Sequence, residues 1–215
     1  MIIIIIYKED KMNKKLTILK LDPMHAFGES SRHSEKTWKE IDQYDLDQQD
    51  LSNIDVLVIS NFVDQEYLLK QKNIIENFLA DQKIVVFCGH LFRMWLPGVS
   101  PFIPERVQTF SDYEVFTTNN DSGIFDGVTT GDMTYNKGVA GFFARGYHPV
   151  SHDVEVLLRF KSGHPVTYID RSSSAGTILV HAGRDLLGYS SNHKTTARIP
   201  DQLYTWLERE VQTHA

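Results

Sequence analysis

Between residues 54 and 90 the chain runs apolar, then amphipathic, then apolar again. Ile54 to Ser60 reads Ile-Asp-Val-Leu-Val-Ile-Ser, a near-continuous apolar run typical of a strand buried on both faces. Asp64 supplies an N-cap, and Gln65 to Ala80 follows as a helix with Leu68, Ile75, Phe78 and Leu79 on one side. Lys83 to Phe87 then makes a second buried strand. Strand, helix and strand at this spacing form a βαβ unit, whose crossover is right-handed. This unit predicts an α/β domain on a doubly wound, mostly parallel sheet, with helices over both faces.

The flanking segments extend the pattern. Leu16 to Leu21 reads as an earlier strand, ended by Asp22-Pro23 because proline cannot donate to the ladder. A polar loop with His25, Glu29, Arg32 and His33 follows. It leaves the C-terminal end of a strand, the side on which open α/β sheets bind ligands. Ser34 to Glu40 is expected as a short helix. Leu96 to Pro104 is a proline-rich surface segment, Tyr113 to Thr118 a strand, and Asn119 to Asp132 a run of turns. Gly138 to His148 is expected as an irregular strand. Glu155 to Phe160 and Pro165 to Asp170 flank Ser162-Gly163-His164 as an antiparallel hairpin. Thr177 to His181 is the last apolar strand. Pro200 and Asp201 open a final helix that buries Leu203, Trp206, Leu207 and Val211. No linker divides residues 12–215, which are expected to form one domain.

The N-terminus stands apart. Ile2 to Ile6 are too few to span a bilayer, and no small-residue cleavage site follows. Two readings remain. The run is a short extra strand, or residues 1–11 are translated upstream sequence ahead of a natural start at Met12. Lys-Glu-Asp is encodable by a purine-rich stretch resembling a bacterial ribosome-binding site.

Composition limits the partners. The net charge is −6, and no basic cluster or basic-aromatic stripe interrupts it. That argues against nucleic acid and against an anionic membrane surface, and leaves small-molecule ligands. The single cysteine, Cys88, excludes an internal disulfide and fits a reducing, cytoplasmic setting. A hydrophobic patch at Phe92, Trp95 and Leu96 is a candidate interface for a homo-oligomer.

Four groups of residues could carry chemistry. In Val86-Phe87-Cys88-Gly89-His90 a buried strand runs into a thiol. A nucleophile on such a turn can have a lowered pKa, with the backbone N–H groups of Gly89 and Leu91 as an oxyanion hole. A buried structural cysteine before a glycine turn accounts for the same residues. His181-Ala182-Gly183-Arg184-Asp185 ends the last strand. If that strand is parallel to the others, His181 and His90 share one sheet edge, and either could serve Cys88 as general base. Arg145, between aromatics in Phe142-Phe143-Ala144-Arg145-Gly146-Tyr147, could grip a carboxylate or stack on a ring. The His25–His33 loop, Glu29 included, has no tight metal-ligand spacing, so neither a metal nor another cofactor is expected.

Asp55-Val56-Leu57-Val58-Ile59 and Ile84-Val85-Val86-Phe87-Cys88-Gly89-His90 resemble the class I glutamine amidotransferase-like superfamily. Gly163-His164-Pro165-Val166 and Gly176-Thr177-Ile178-Leu179-Val180-His181-Ala182-Gly183 are similar to its trehalose-utilisation (ThuA-like) branch. The resemblance implies a flavodoxin-like sheet with a site at the strand ends. Cys88 matches the position of the superfamily's nucleophile in Gly-x-Cys-x-Gly, with Val86 and His90 in place of its glycines. The leading expectation is therefore a small-molecule hydrolase or transferase with Cys88 as nucleophile and His181 or His90 as base. The alternative is a catalytically silent ligand-binding or oligomerisation module, with Arg145, Arg184, Asp185 and His181 around a sugar or carboxylate. A third reading is a metal-dependent hydrolase using His90, His181 and Asp185.

Overall fold

The structure is a computed structural model, and it describes residues 15–23, 38–118, 120–136, 138–189 and 193–213. In chain order the strands are β1 (Ile18–Asp22), β2 (Trp38–Asp42), β3 (Val56–Ile59), β4 (Ile84–Cys88), β5 (Ile103–Pro104) and β6 (Val115–Thr117). Then come β7 (Tyr135–Asn136), β8 (Val139–Ala140), β9 (Gly146–Tyr147), β10 (Glu155–Phe160), β11 (Pro165–Asp170) and β12 (Thr177–His181). The α-helices are α1 (Gln65–Lys70), α2 (Lys72–Ala80), α3 (Thr130–Thr134) and α4 (Ile199–Thr213).

Among the described residues, eight strands form one sheet in the order β2-β1-β3-β4-β12-β11-β10-β6. The first five are mutually parallel, and β11, β10 and β6 continue the sheet antiparallel. Read as five parallel strands, this is the flavodoxin-like order, with its reversal of winding between β1 and β3. The expected fold class is therefore present, antiparallel hairpin included.

Alternation along the central strands divides the core in two. Val56, Val58, Ile84, Val86 and Leu179 pack with Ile199, Leu203, Trp206 and Leu207 of α4. Leu57, Ile59, Val85, Phe87 and Ile178 pack with Leu68, Ile75, Phe78 and Leu79 of α1 and α2 on the other face. The apolar runs that looked continuous in the sequence are thus two-sided strands, covered above and below.

The structure corrects three local expectations. Gly138 to His148 is not one irregular strand but holds two separate two-residue strands, β8 paired with β7 and β9 paired with β5. The short helix expected over Ser34 to Glu40 falls partly outside the described residues, and Trp38 to Glu40 belong to strand β2, paired in parallel with β1. Edge pairing beside an apolar strand outweighs a weak helical pattern. The helix expected over Gln65 to Ala80 is broken at Gln71, with φ −95° and ψ 11° there. No glycine or proline marks the break. The N-terminal extension and the His25–His33 loop lie outside the described residues.

At the far end of α4 an ionic clamp ties the helix to the sheet. Glu210 is 5% exposed. It accepts from Arg171 Nε at 2.6 Å, Arg171 Nη2 at 2.8 Å and Thr177 Oγ1 at 2.8 Å. Removing this carboxylate leaves the buried Thr177 hydroxyl without this acceptor and takes from Arg171 its two bonds to the helix. Glu210→Ala is expected to lower unfolding free energy by about 2–3 kcal/mol, and Glu210→Gln by roughly half as much, in urea titrations.

Candidate functional site

The parallel strands all end on one edge, and the loops leaving that edge enclose a cleft of about 720 Å³. One wall is the turn after β3 with the start of α1, Asn61 to Glu66, together with His90, Phe92 and Arg93 after β4. The other is Gly141 to Arg145 with Gly183 and Arg184 after β12. The cleft stands at the sheet edge from which the loops carrying the candidate residues leave.

The second wall depends on two close backbone approaches. Ala144 and Gly183 form an isolated antiparallel bridge, and Arg184 N–H donates to Phe143 O at 3.2 Å. A Cβ on Gly183 would stand 1.9 Å from Phe143 O, so only glycine permits the crossing. Arg145 and Arg184 each stand one residue beyond the bridge and line the cleft. Both are exposed. Arg145 Nε donates to Gly141 O at 3.0 Å, and the Arg184 guanidinium lies over the Tyr189 ring at 5.3 Å. Neither forms a salt bridge with a described carboxylate.

The first wall is organised by Gln65, which sequence analysis did not single out. Its Oε1 accepts from Phe92 N–H at 2.7 Å and Arg93 N–H at 3.2 Å, while its Nε2 donates to His90 O at 2.6 Å. One side chain thereby fixes the loop after β4. Asp64 Oδ1 caps α1 through the N–H groups of Glu66 and Tyr67, and its Oδ2 accepts from Tyr44 Oη. Glu66 holds Arg93 Nε at 2.5 Å. The polar side chains at 64–66 are therefore engaged within the protein. His90 stacks on Phe102 with centroids 3.7 Å apart. Burial, then His148 and Arg145, hold its imidazole below the usual pKa, favouring the neutral form.

Beneath the cleft, the sheet face that carries α4 bears a row of polar residues at the strand ends. Lys20 pairs in register with Glu40 of β2, Cys88 with His181 of β12, and His181 with Thr167 of β11. Asp185 anchors the middle of the row, accepting from Lys20 Nζ at 2.8 Å and Ser60 Oγ at 3.2 Å. His181 is fully buried, with Nδ1 2.7 Å from Thr167 Oγ1, the Phe143 ring edge-on at 4.9 Å, and Nε2 without a hydrogen-bond partner.

The expected Cys88–His181 machinery is not assembled in this state. Cys88 and His181 are register neighbours, yet both are 0% exposed. Burial, then the charge of Asp185, pushes the thiol above its usual pKa, opposite to what an activated nucleophile needs. Burial lowers the His181 pKa to about 3. Gly89 N–H is spent on His181 O at 2.9 Å, so it cannot serve an oxyanion, and Leu91 is buried. His90 lies on the cleft wall, stacked on Phe102. Asp185 is held by Lys20 and Ser60 rather than free for a ligand. Among the described residues, no group of three or more His, Cys, Asp or Glu side chains is placed to hold a metal, so His90, His181 and Asp185 do not form a metal centre. Glu29 lies outside the described residues. In the expected interface patch Phe92 is 60% exposed, but Trp95 and Leu96 are buried at 1% and 2%.

No family model and no curated protein matches the chain. Among solved structures, the chain is similar to one described as "mmIFT52 N-terminal domain", with 10% identity, 90% of this chain and 97% of that chain covered, and a TM-score of 0.43. Among the described residues no helix is long and apolar enough to cross a membrane.

Two measurements follow from the buried row. Iodoacetamide should modify Cys88 at least about 100-fold more slowly in the native protein than in denaturant. Fast native alkylation with an apparent pKa below the ordinary thiol value would mean that Cys88 is reachable and activated. His181 sets an acid limit. Its folded pKa is depressed, so its effect on stability is nil above the unfolded imidazole value of about 6.5 and grows as pH falls. Stability should drop by up to about 1.4 kcal/mol per pH unit from this group, down to about pH 3. Buried His148, also shifted down by burial, adds in the same direction. His181→Asn should flatten the dependence in urea melts taken between pH 7 and 4.

Proposed function

We propose that this protein is a ligand-binding module of amidotransferase-like fold, taking a carboxylate attached to an apolar body in the cleft at the strand ends. The observation that carries this reading is the state of the polar groups around the cleft. Asp64, Gln65 and Glu66 are engaged with the protein's own backbone and side chains. Arg145 and Arg184 line the opposite wall without a salt bridge to a described carboxylate. A guanidinium presents a planar fork of donors that fits a carboxylate in two parallel bonds. A sugar would need several uncommitted acceptors and donors, and the first wall has few to offer. Phe62, Phe92 and Phe142 supply the apolar surround.

An amidotransferase-like hydrolase is the second reading. It is favoured by the adjacency of Cys88 and His181 on paired strands. It requires the segments at 141–145 and 182–189 to move, because both groups are buried beneath them.

Titration with 3-phenylpropionate tests the binding reading. Saturable binding is expected, weakened about tenfold or more by Arg145→Ala or Arg184→Ala, and weakened by added salt. Absence of saturable binding, or binding indifferent to both substitutions, would set the reading aside. Gln65→Leu should also weaken binding, because it frees the loop at 90–93 without removing any ligand contact.

A further inference from the structure

His90 stands on the cleft wall with the polar end of its side chain uncommitted. It lines the cleft together with Arg145 and Arg184, and neither ring nitrogen has a hydrogen-bond partner among the described residues. The other imidazole nearby, His148, is spent on Ser100 O at 2.9 Å and Gly89 O at 3.1 Å. Asp64, Gln65 and Glu66 are likewise held within the protein.

The His90 ring is fixed without use of its nitrogens. It stacks on Phe102 at 3.7 Å, with Phe92 edge-on at 6.2 Å, and Gln65 Nε2 pins its carbonyl. Phe102 is fixed in turn by its N–H bond to Leu91 O at 2.8 Å. The edge of the Phe102 ring lies against Gly146. A Cβ at Gly146 would stand 2.5 Å from Phe102 Cζ and 2.2 Å from Ile103 O, so only glycine fits. Gly146 directly follows Arg145 and pairs with Pro104 where β9 meets β5. Phe102 is therefore a spacer, with His90 on its face and the Arg145–Gly146 backbone at its edge. This packing sets His90 and Arg145 side by side on the cleft, close enough for the Arg145 charge to act on the ring.

The two groups differ in what they take. A guanidinium fits a carboxylate in two parallel bonds. Burial, then His148 and Arg145, hold the imidazole below its usual pKa, and the neutral ring offers one donor and one acceptor. A hydroxyl is the matching group, since it both donates and accepts, whereas a second carboxylate only accepts. Resting on the carboxylate-binding reading above, we propose that the ligand is a 2-hydroxy acid with an apolar body. Its carboxylate goes to Arg145 and Arg184, and the hydroxyl on the neighbouring carbon bonds to His90. With the apolar body as a third point of attachment, the site distinguishes the two hands of the ligand.

The test is calorimetric titration with the two enantiomers of 3-phenyllactate beside 3-phenylpropionate, which differs only in lacking the hydroxyl. One enantiomer should bind about fivefold tighter than 3-phenylpropionate or better, the gain expected from one added hydrogen bond. The other enantiomer should show no gain. In His90→Phe, which keeps an aromatic ring on Phe102, the ratio between the two acids should fall to within about twofold, whatever the substitution does to each affinity alone. A purely structural role for His90 would weaken both acids together and leave the ratio intact. His90→Leu serves if His90→Phe does not fold. Arg145→Ala and Arg184→Ala should weaken both acids. Binding of 3-phenylpropionate with no gain from the hydroxyl, with equal gain from both enantiomers, or with a gain that survives the loss of His90, overturns the inference and leaves the carboxylate site standing. Binding of neither acid, or binding indifferent to both arginine substitutions, removes both.

Discussion

The pairing of β4 between β3 and β12 holds the rest of the molecule in place, because all three strands are buried on both faces and cannot leave the sheet without exposing two cores. Their hydrogen bonds are satisfied within the sheet up to the strand ends, with β1 and β11 pairing the outer edges of β3 and β12. Beyond that edge the backbone must find other partners. Gln65 answers for the loop after β4, and the Ala144–Gly183 bridge answers for the segment after β12. The cleft is the space left between these two solutions. Its walls are set by backbone satisfaction first, and only then by the side chains that project into it.

The same logic places the polar row beneath the cleft. Lys20, Ser60, Cys88 and His181 follow apolar residues on the same face of their parallel strands, one layer nearer the strand ends, and Thr167 of antiparallel β11 lies beside His181. Charge is affordable there because Asp185 closes over it, with Lys20 at 2.8 Å. Leu186 and Tyr189, next along the chain, pack into the core at that edge. The outcome is a largely buried polar cluster under a wetter cleft, with Lys20 and Asp185 at its partly exposed end. This layering separates the thiol and imidazole from any molecule in the cleft in the state described.

The βαβ unit, the closing hairpin and the final helix were legible because periodicity reports burial directly. Residues 38–42 were not, since an edge strand half open to solvent carries a weak pattern and takes its conformation from its neighbour. The break at Gln71 has no glycine or proline to announce it. At the site, Arg145 and Arg184 could be picked out by their place among aromatics and after a strand. The fate of Cys88 could not, because its burial is decided by residues about a hundred positions later folding over it. Gln65 left no signal at all. A glutamine in the first turn of a helix is commonplace, and its role exists only once the loop after β4 is brought alongside.

Phe62 sets stability and surface chemistry against each other at a single position. Glycine or asparagine would adopt φ +72° with less strain. Either would also erase the ring that stands most exposed at the mouth of the cleft. The backbone alone therefore favours a smaller residue at this turn, and what keeps phenylalanine there is its ring rather than its conformation.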